Sequence, residues 1–251
     1  MHQKLTGQVA LVTGGSRGMG AAIAVRLAAD GADVAFSYAA DPEKGKKTLA
    51  AIEATGRRGL AVKADQADPR RAQHLVRQVA DHFGRLDILV NNAGVHVTGT
   101  VDAPDRDQSA FDRQLAINLQ AVVSTVVAAA PLLTEGGRIV SIASNGSATT
   151  SVPFPGLSDY LATKAAVVTY TKGWARDLAP RGITVNAVQP GAIDTDMNPA
   201  DAEDASFVTS LTPMGRFGRP EEIAAAVSFL VGPEAAFITG ASLPVDGGFS
   251  C

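Results

Sequence analysis

Short β-branched and apolar runs alternate along this chain with longer segments whose apolar residues recur every three to four positions. The runs that predict strands are Val9–Thr13, Val34–Tyr38, Leu60–Ala64, Ile88–Asn91, Arg138–Ile142, Thr184–Val188 and Ser242–Val245. The helix-patterned stretches between them are Met19–Ala29, Pro42–Thr55, Pro69–His82, Gln108–Leu133, Asp159–Ala179 and Pro220–Val231. The punctuation agrees. Asp41-Pro42, Asp68-Pro69 and Arg219-Pro220 put proline at a first helical position, twice behind a capping aspartate, and Gly31 and Gly56 follow helix ends. Strand–helix alternation of this kind predicts βαβ units: an α/β fold with one doubly wound, Rossmann-type parallel sheet of about seven strands and helices on both faces. No linker or repeat interrupts the pattern, so residues 1–251 read as a single domain. The mixed stretch of about 193–218 breaks the alternation and reads as a lid over a substrate.

Composition narrows the function classes. With 22 basic and 25 acidic residues the net charge is −3 and no polybasic block occurs, so neither nucleic acid nor a membrane surface is an expected partner. Cys251 is the only cysteine, which rules out an internal disulfide and fits a cytoplasmic protein. Residues 1–7 carry no long apolar segment, so no signal peptide is expected, and no run is long enough for a membrane span. The 4 histidines lack metal-ligand spacing, so no metal site is expected.

The chemistry starts at Thr13-Gly14-Gly15-Ser16-Arg17-Gly18-Met19-Gly20, between the first strand and the first helix. Glycines let the backbone turn tightly against a phosphate, and the helix start offers free N–H groups to an anion. A tight turn without a ligand would use the same residues. Far downstream, Tyr160 and Lys164 lie four positions apart and so share a helix face. A phenol with a pKa of roughly 10 becomes a better acid–base group beside an ammonium. A tyrosine packed on a lysine stem would show the same spacing. Ser144 follows the strand Arg138–Ile142, at the end where ligands bind in open parallel sheets, and its hydroxyl is placed either to steady a substrate oxygen or to cap the next loop. Asn92 ends another strand. Asn118 stands in an apolar helix and needs partners, either a water or a backbone group.

Together these residues resemble the classical short-chain dehydrogenase/reductase family from Val9 to Gly248. The turn Thr13–Gly20 matches the family's phosphate turn, and Asn91-Asn92-Ala93-Gly94 its sheet-stabilising motif. The resemblance implies a catalytic set of Asn118, Ser144, Tyr160 and Lys164. It implies cofactor contacts from Gly14, Ser16, Arg17, Gly18, Met19 and Gly20, from Ser37 and Tyr38, and from Asp65 and Gln66. It adds Asn92, Ala93 and Gly94, Tyr160 and Lys164 themselves, and Pro190, Gly191, Ile193 and Thr195. In this scheme hydride passes between nicotinamide and a carbonyl or carbinol carbon, Tyr160 moves the proton, Lys164 lowers the tyrosine pKa, and Asn118 orders a relay water. One departure concerns the serine. Ser147 has the family's commonest separation from Tyr160, whereas Ser144 directly follows the strand and leaves an expanded loop over residues 149–156. Ser144 is preferred.

Tyr38 stands where NAD enzymes carry an acid for the ribose 2′-OH, Asp33 comes too early to replace it, and Arg17 suits a 2′-phosphate. The expected cofactor is therefore NADP(H). Val152, Phe154, Met197, Phe207, Met214 and Phe217 are the expected site walls, which suits a small apolar ketone or alcohol. The alternative is a 3-oxoacyl-carrier-protein reductase. It ranks second because the lid carries Asp196, Asp201, Glu203 and Asp204, Glu135 stands where such enzymes are often basic, and Arg181 alone is left for a basic docking rim. A non-catalytic NADP-binding regulator on the same fold would typically lack Tyr160 or Lys164. A methyltransferase would not explain that pair together with Asn91–Gly94. The family's usual assembly implies a homotetramer, with the small residues Ala128–Ala130 and Ala162–Ala166 permitting close helix approach.

Overall fold

The computed structural model describes residues 3–147, 154–203 and 205–251. The strands are β1 (Val9–Val12), β2 (Asp33–Tyr38), β3 (Gly59–Lys63), β4 (Leu86–Asn91), β5 (Leu133–Ile142), β6 (Thr184–Pro190) and β7 (Ser242–Val245). All neighbours pair in parallel, in the order β3-β2-β1-β4-β5-β6-β7. The order reverses between β1 and β4, which opens a crevice at their carboxyl ends.

The helices are α1 (Gly18–Ala29), α2 (Pro42–Glu53), α3 (Pro69–Phe83), α4 (Gln108–Leu115), α5 (Ala121–Ala129), α6 (Ser158–Leu178), α7 (Ala205–Ser210) and α8 (Pro220–Val231). They form where the sequence supplies a start and an apolar stripe. Asp41 accepts from the Lys44 N–H at 3.0 Å and Asp68 from the Arg70 N–H at 2.9 Å, each ahead of a proline. In α1 the buried residues are Gly20, Ile23, Ala24, Leu27 and Ala28, one helical face. They join α8 on one side of the sheet, while the buried faces of α3 and α5 join the other. Each fully buried Ile or Leu, such as Ile23 and Leu27, contributes about 1.5–3 kcal/mol.

Two boundaries differ from the sequence expectation. The helix expected over Gln108–Leu133 is interrupted by a π-helical turn at Ala116–Gln120 and stops at Ala129. The strand expected from Arg138 starts at Leu133, with an irregularity that lets Leu86 pair with Leu133 and Ile88 with Arg138. Helical periodicity cannot register a one-residue π insertion, because apolar residues continue through it.

Candidate active site

The glycine turn is built by the strands around it. The Gly14 N–H donates to the Ser37 hydroxyl at 3.1 Å and the Gly15 N–H to the Ser37 carbonyl at 2.8 Å. Asn92 spans from the end of β4, its side-chain amide donating to the Thr13 carbonyl at 2.9 Å and the Gly14 carbonyl at 3.0 Å. The Thr13 hydroxyl accepts from the Asn92 and Ala93 N–H groups, both at 3.0 Å. A Cβ on Gly20 would sit 2.2 Å from the Gly14 carbonyl oxygen and 2.4 Å from Asn92 Nδ2, so only glycine lets α1 start so close to the turn.

Beside this turn lies a cleft of about 330 Å³. The turn itself lines it through Gly14, Ser16, Arg17, Gly18, Met19 and Gly20. Ser37 and Tyr38 at the end of β2, Asp65 and Gln66 after β3, and Asn92, Ala93 and Gly94 after β4 complete the wall with Thr195. Asp65 pairs with Arg113 at 3.1 Å. The Ala67 N–H first, and Arg113 with it, hold the Asp65 carboxyl below its ordinary range. Asp33 is taken by Arg58 at 2.6 Å and is not part of this wall.

A larger cleft of about 540 Å³ continues from the first and shares Met19, Asn92, Gly94 and Thr195 with it. Ser144, Tyr160 and Lys164 line it, as do Pro190, Gly191 and Ile193. Burial pushes the Tyr160 phenol up to about 12, and the Ser144 hydroxyl beside it opposes this. Lys164 Nζ donates to the Ile142 carbonyl at 2.9 Å and lies 5.8 Å from the centre of the Tyr160 ring. Burial lowers this ammonium to about 8. Desolvation is thus the largest influence on the Tyr160 phenol, and it raises its pKa.

Ser147 has its hydroxyl turned to the Ser144 carbonyl and receives a hydrogen bond from Gln189 at 3.2 Å. It does not line the cleft, whereas Ser144 does. Asn118, fully buried in the π turn, stands behind the cleft. Its amide both donates to the Val95 carbonyl and accepts from the Val95 N–H at 2.9 Å. A Cβ on Gly94 would lie 3.4 Å from Asn118 Oδ1 and 3.5 Å from Lys164 Nζ, so these two groups flank one glycine.

Of the expected walls, Phe154, Met197 and Phe207 line the larger cleft. Val152 and the acidic Asp204 lie outside the described residues. Met214 and Phe217 are corrections. Phe217 is buried at 8% exposure, and Met214 is 64% exposed and bonds through its N–H to the Gly247 carbonyl at 3.1 Å. Sequence reasoning missed His96 and Phe249. The His96 ring meets Tyr160 edge-on at 4.7 Å, and partial burial lowers its pKa. Phe249 comes from the C-terminal turn and lies 6.2 Å from Phe154, which in turn faces Phe207 at 6.1 Å. Its neighbours give no sign of this, because Asp246 folds the tail back by accepting from the Gly248 and Ser250 N–H groups.

A crevice at the carboxyl ends of a parallel sheet, with a glycine turn on one side and a serine–tyrosine–lysine cluster on the other, defines a dinucleotide-dependent oxidoreductase class. The chain belongs to the classical short-chain dehydrogenase/reductase family: a family model described as enoyl-(acyl carrier protein) reductase matches residues 14–250. It is similar to a solved short-chain dehydrogenase from Burkholderia cenocepacia in complex with NADP, with 51% identity and a TM-score of 0.95, covering 99% of this chain and 100% of that one. A cyclic-di-GMP-binding biofilm dispersal mediator protein of Escherichia coli is 44% identical over 245 residues, 97% of this chain and 98% of the relative. The 3-oxoacyl-[acyl-carrier-protein] reductase FabG of Staphylococcus aureus is 39% identical over 243 residues, 95% of this chain and 96% of the relative.

Proposed function

We propose that this protein is an NADP(H)-dependent oxidoreductase that interconverts small apolar ketones and secondary alcohols. The observation that carries the reading is the junction of the two clefts. The residues they share join a phosphate-type glycine turn to the cleft that Ser144 and Tyr160 line together. The residues fit the cofactor: Gly14, Gly18 and Gly20 keep the backbone of the turn open to the cleft, and Arg17 lines a cleft where no acid ends β2. The bound nicotinamide supplies the hydride. Tyr160 gives its proton to the substrate oxygen in reduction, and the protonated phenol suits that role. Ser144 steadies the same oxygen. Lys164 holds the ribose and adds positive charge near the phenolate in the reverse direction. Asn118 acts as a positioning residue through Val95.

The larger cleft selects the substrate class. Phe154, Phe207 and Phe249 form its apolar side, and among the described residues no carboxylate and no arginine lines it. Burial of an uncharged, aromatic or branched ketone is favoured there over an ionised one. The segment 193–218, carrying Met197 and Phe207, serves as the lid on a single catalytic domain spanning 1–251. Carrier-protein reduction ranks second, on the likeness to the Staphylococcus reductase. Against it, Arg181 is committed to Glu135 at 3.0 Å and to the carbonyls of Ala130 and Leu133.

Among the described residues no helix is long and apolar enough to cross a membrane. We place the protein in the cytoplasm as a homotetramer. The outward-facing Val127, Tyr170 and Phe237, 59%, 42% and 104% exposed, offer apolar surface for that assembly.

The test is oxidation of NADPH against NADH over ketones, β-ketoesters and an acetoacetyl thioester, on protein whose mass in solution is measured alongside. NADPH turnover of apolar ketones by a four-copy particle is expected. A dominant thioester rate moves the assignment to acyl reduction. NADPH binding with no turnover on any substrate, and tight binding of cyclic-di-GMP, moves it to a regulator.

A further inference from the structure

Two cations from separate parts of the chain converge on one carboxylate at the mouth of the smaller cleft. Arg17 Nη1, from the glycine turn, lies 3.6 Å from Asp196 Oδ2, and Lys44 Nζ bonds the same oxygen. Lys44 stands in the first turn of α2. Its backbone N–H is held by Asp41 at 3.0 Å, which fixes where its stem leaves the helix. Asp196 follows Thr195 in the segment after β6. Arg17, Lys44 and Asp196 all line the cleft, together with Tyr38 and Asp41. Their side chains are 57%, 40% and 51% exposed, so the cluster is open to an incoming solute.

Two like charges drawn to one point repel unless an anion sits between them. Here that anion is internal. The Lys44 hydrogen bond first, and Arg17 with it, hold the Asp196 carboxyl below its usual range, so it remains charged and bound to them at neutral pH. A phosphate monoester carries more charge and three acceptor oxygens, and so outmatches one carboxylate for the same pair of cations.

We propose that Lys44 and Arg17 together read the 2′-phosphate of the cofactor, and that Asp196 is the resident anion this phosphate displaces. The inference rests on the NADP(H) reading above and assigns its specificity to a residue of α2 and a residue of the lid. NADPH affinity is then set by a competition between two anions for one pair of cations. NADH, which carries no 2′-phosphate, leaves Asp196 where it is.

Dissociation constants for NADPH, NADH and adenosine 2′,5′-bisphosphate, read by calorimetry without any substrate, test this. Lys44→Ala should weaken NADPH and the bisphosphate about five- to tenfold, with NADH changed less than about twofold, and Lys44→Arg should restore the loss. Asp196→Asn should tighten NADPH about two- to fivefold and leave NADH alone. Melting temperatures of the three variants check that the fold is intact, and if Lys44→Ala melts low, Lys44→Arg and Asp196→Asn still decide. A wild-type protein that prefers NADPH, but whose NADPH-to-NADH ratio is unmoved by Lys44→Ala, overturns this inference and leaves the cofactor reading standing. Weaker NADPH binding by Asp196→Asn does the same. A wild type that binds NADH as tightly as NADPH overturns both.

Discussion

At the scale of single residues, the pair Tyr160 and Lys164 shows how burial shifts the proton affinity of two neighbouring side chains. Tyr160→Phe removes the proton donor but keeps the ring against His96. Ketone reduction should fall about 10²–10⁴-fold while NADPH binding is retained, and retained turnover would remove the catalytic assignment. Lys164 gives a pH signature. Its ammonium is lowered by burial from 10.5 to about 8. Between those values the folded protein holds fewer protons than the unfolded chain, so the lysine makes the fold more stable as pH rises through that window. The melting temperature of Lys164→Met minus that of wild type should therefore fall from pH ~7 to pH ~10. A difference level with pH would mean that the ammonium is not desolvated. The serine choice also belongs to this scale. Ser147 fits the family spacing, yet its hydroxyl is used by the backbone of Ser144 and by Gln189.

At the scale of elements, the turn between β1 and α1 depends on contact distance more than on flexibility. Gly20→Ala drives a methyl into the Gly14 carbonyl, a backbone atom, and the Asn92 amide, which two hydrogen bonds hold in place. It should cost about 1–3 kcal/mol in denaturant unfolding and weaken NADPH binding as well. Gly173→Ala in α6 meets nothing within 4 Å and should be neutral or stabilising by about 0.5–1 kcal/mol. Equal effects at the two positions would refute the packing argument. The π turn at Ala116–Gln120 works at this scale too. One extra residue per turn lets Asn118 reach the Val95 backbone from a helix that packs on α6 before the turn and on β4 after it.

At the scale of the whole molecule, the larger cleft gathers residues that lie far apart in sequence. His96 follows β4, Phe154 precedes α6, Phe207 sits in α7, and Phe249 arrives from the C-terminal turn. The tail is held there by Asp246 and by the close approach of Gly191 to that residue. Phe249→Ala should raise KM for an aromatic ketone about five- to twentyfold with kcat little changed, since the ring binds ground and transition states alike. A small aliphatic ketone should be nearly unaffected. Equal losses for both substrates would place Phe249 in stabilising the fold instead.

The sequence by itself determined the seven strands, their parallel α/β arrangement and the family, because hydrophobic period, helix starts and the glycine turn are local signals. Asp41-Pro42 and Asp68-Pro69 begin helices through atoms two or three residues away. Tyr160 and Lys164 were legible as a pair because a helix fixes four-residue neighbours. Only the tertiary structure decided what joins them. It brought in His96 and Phe249, buried Phe217, turned Ser147 away and tied up Arg181, and it set Lys44 and Arg17 on Asp196. Each of these depends on which segments the sheet order and the folded tail bring within a few ångströms. Contacts between residues this far apart in the chain leave no periodic or neighbouring trace in the sequence.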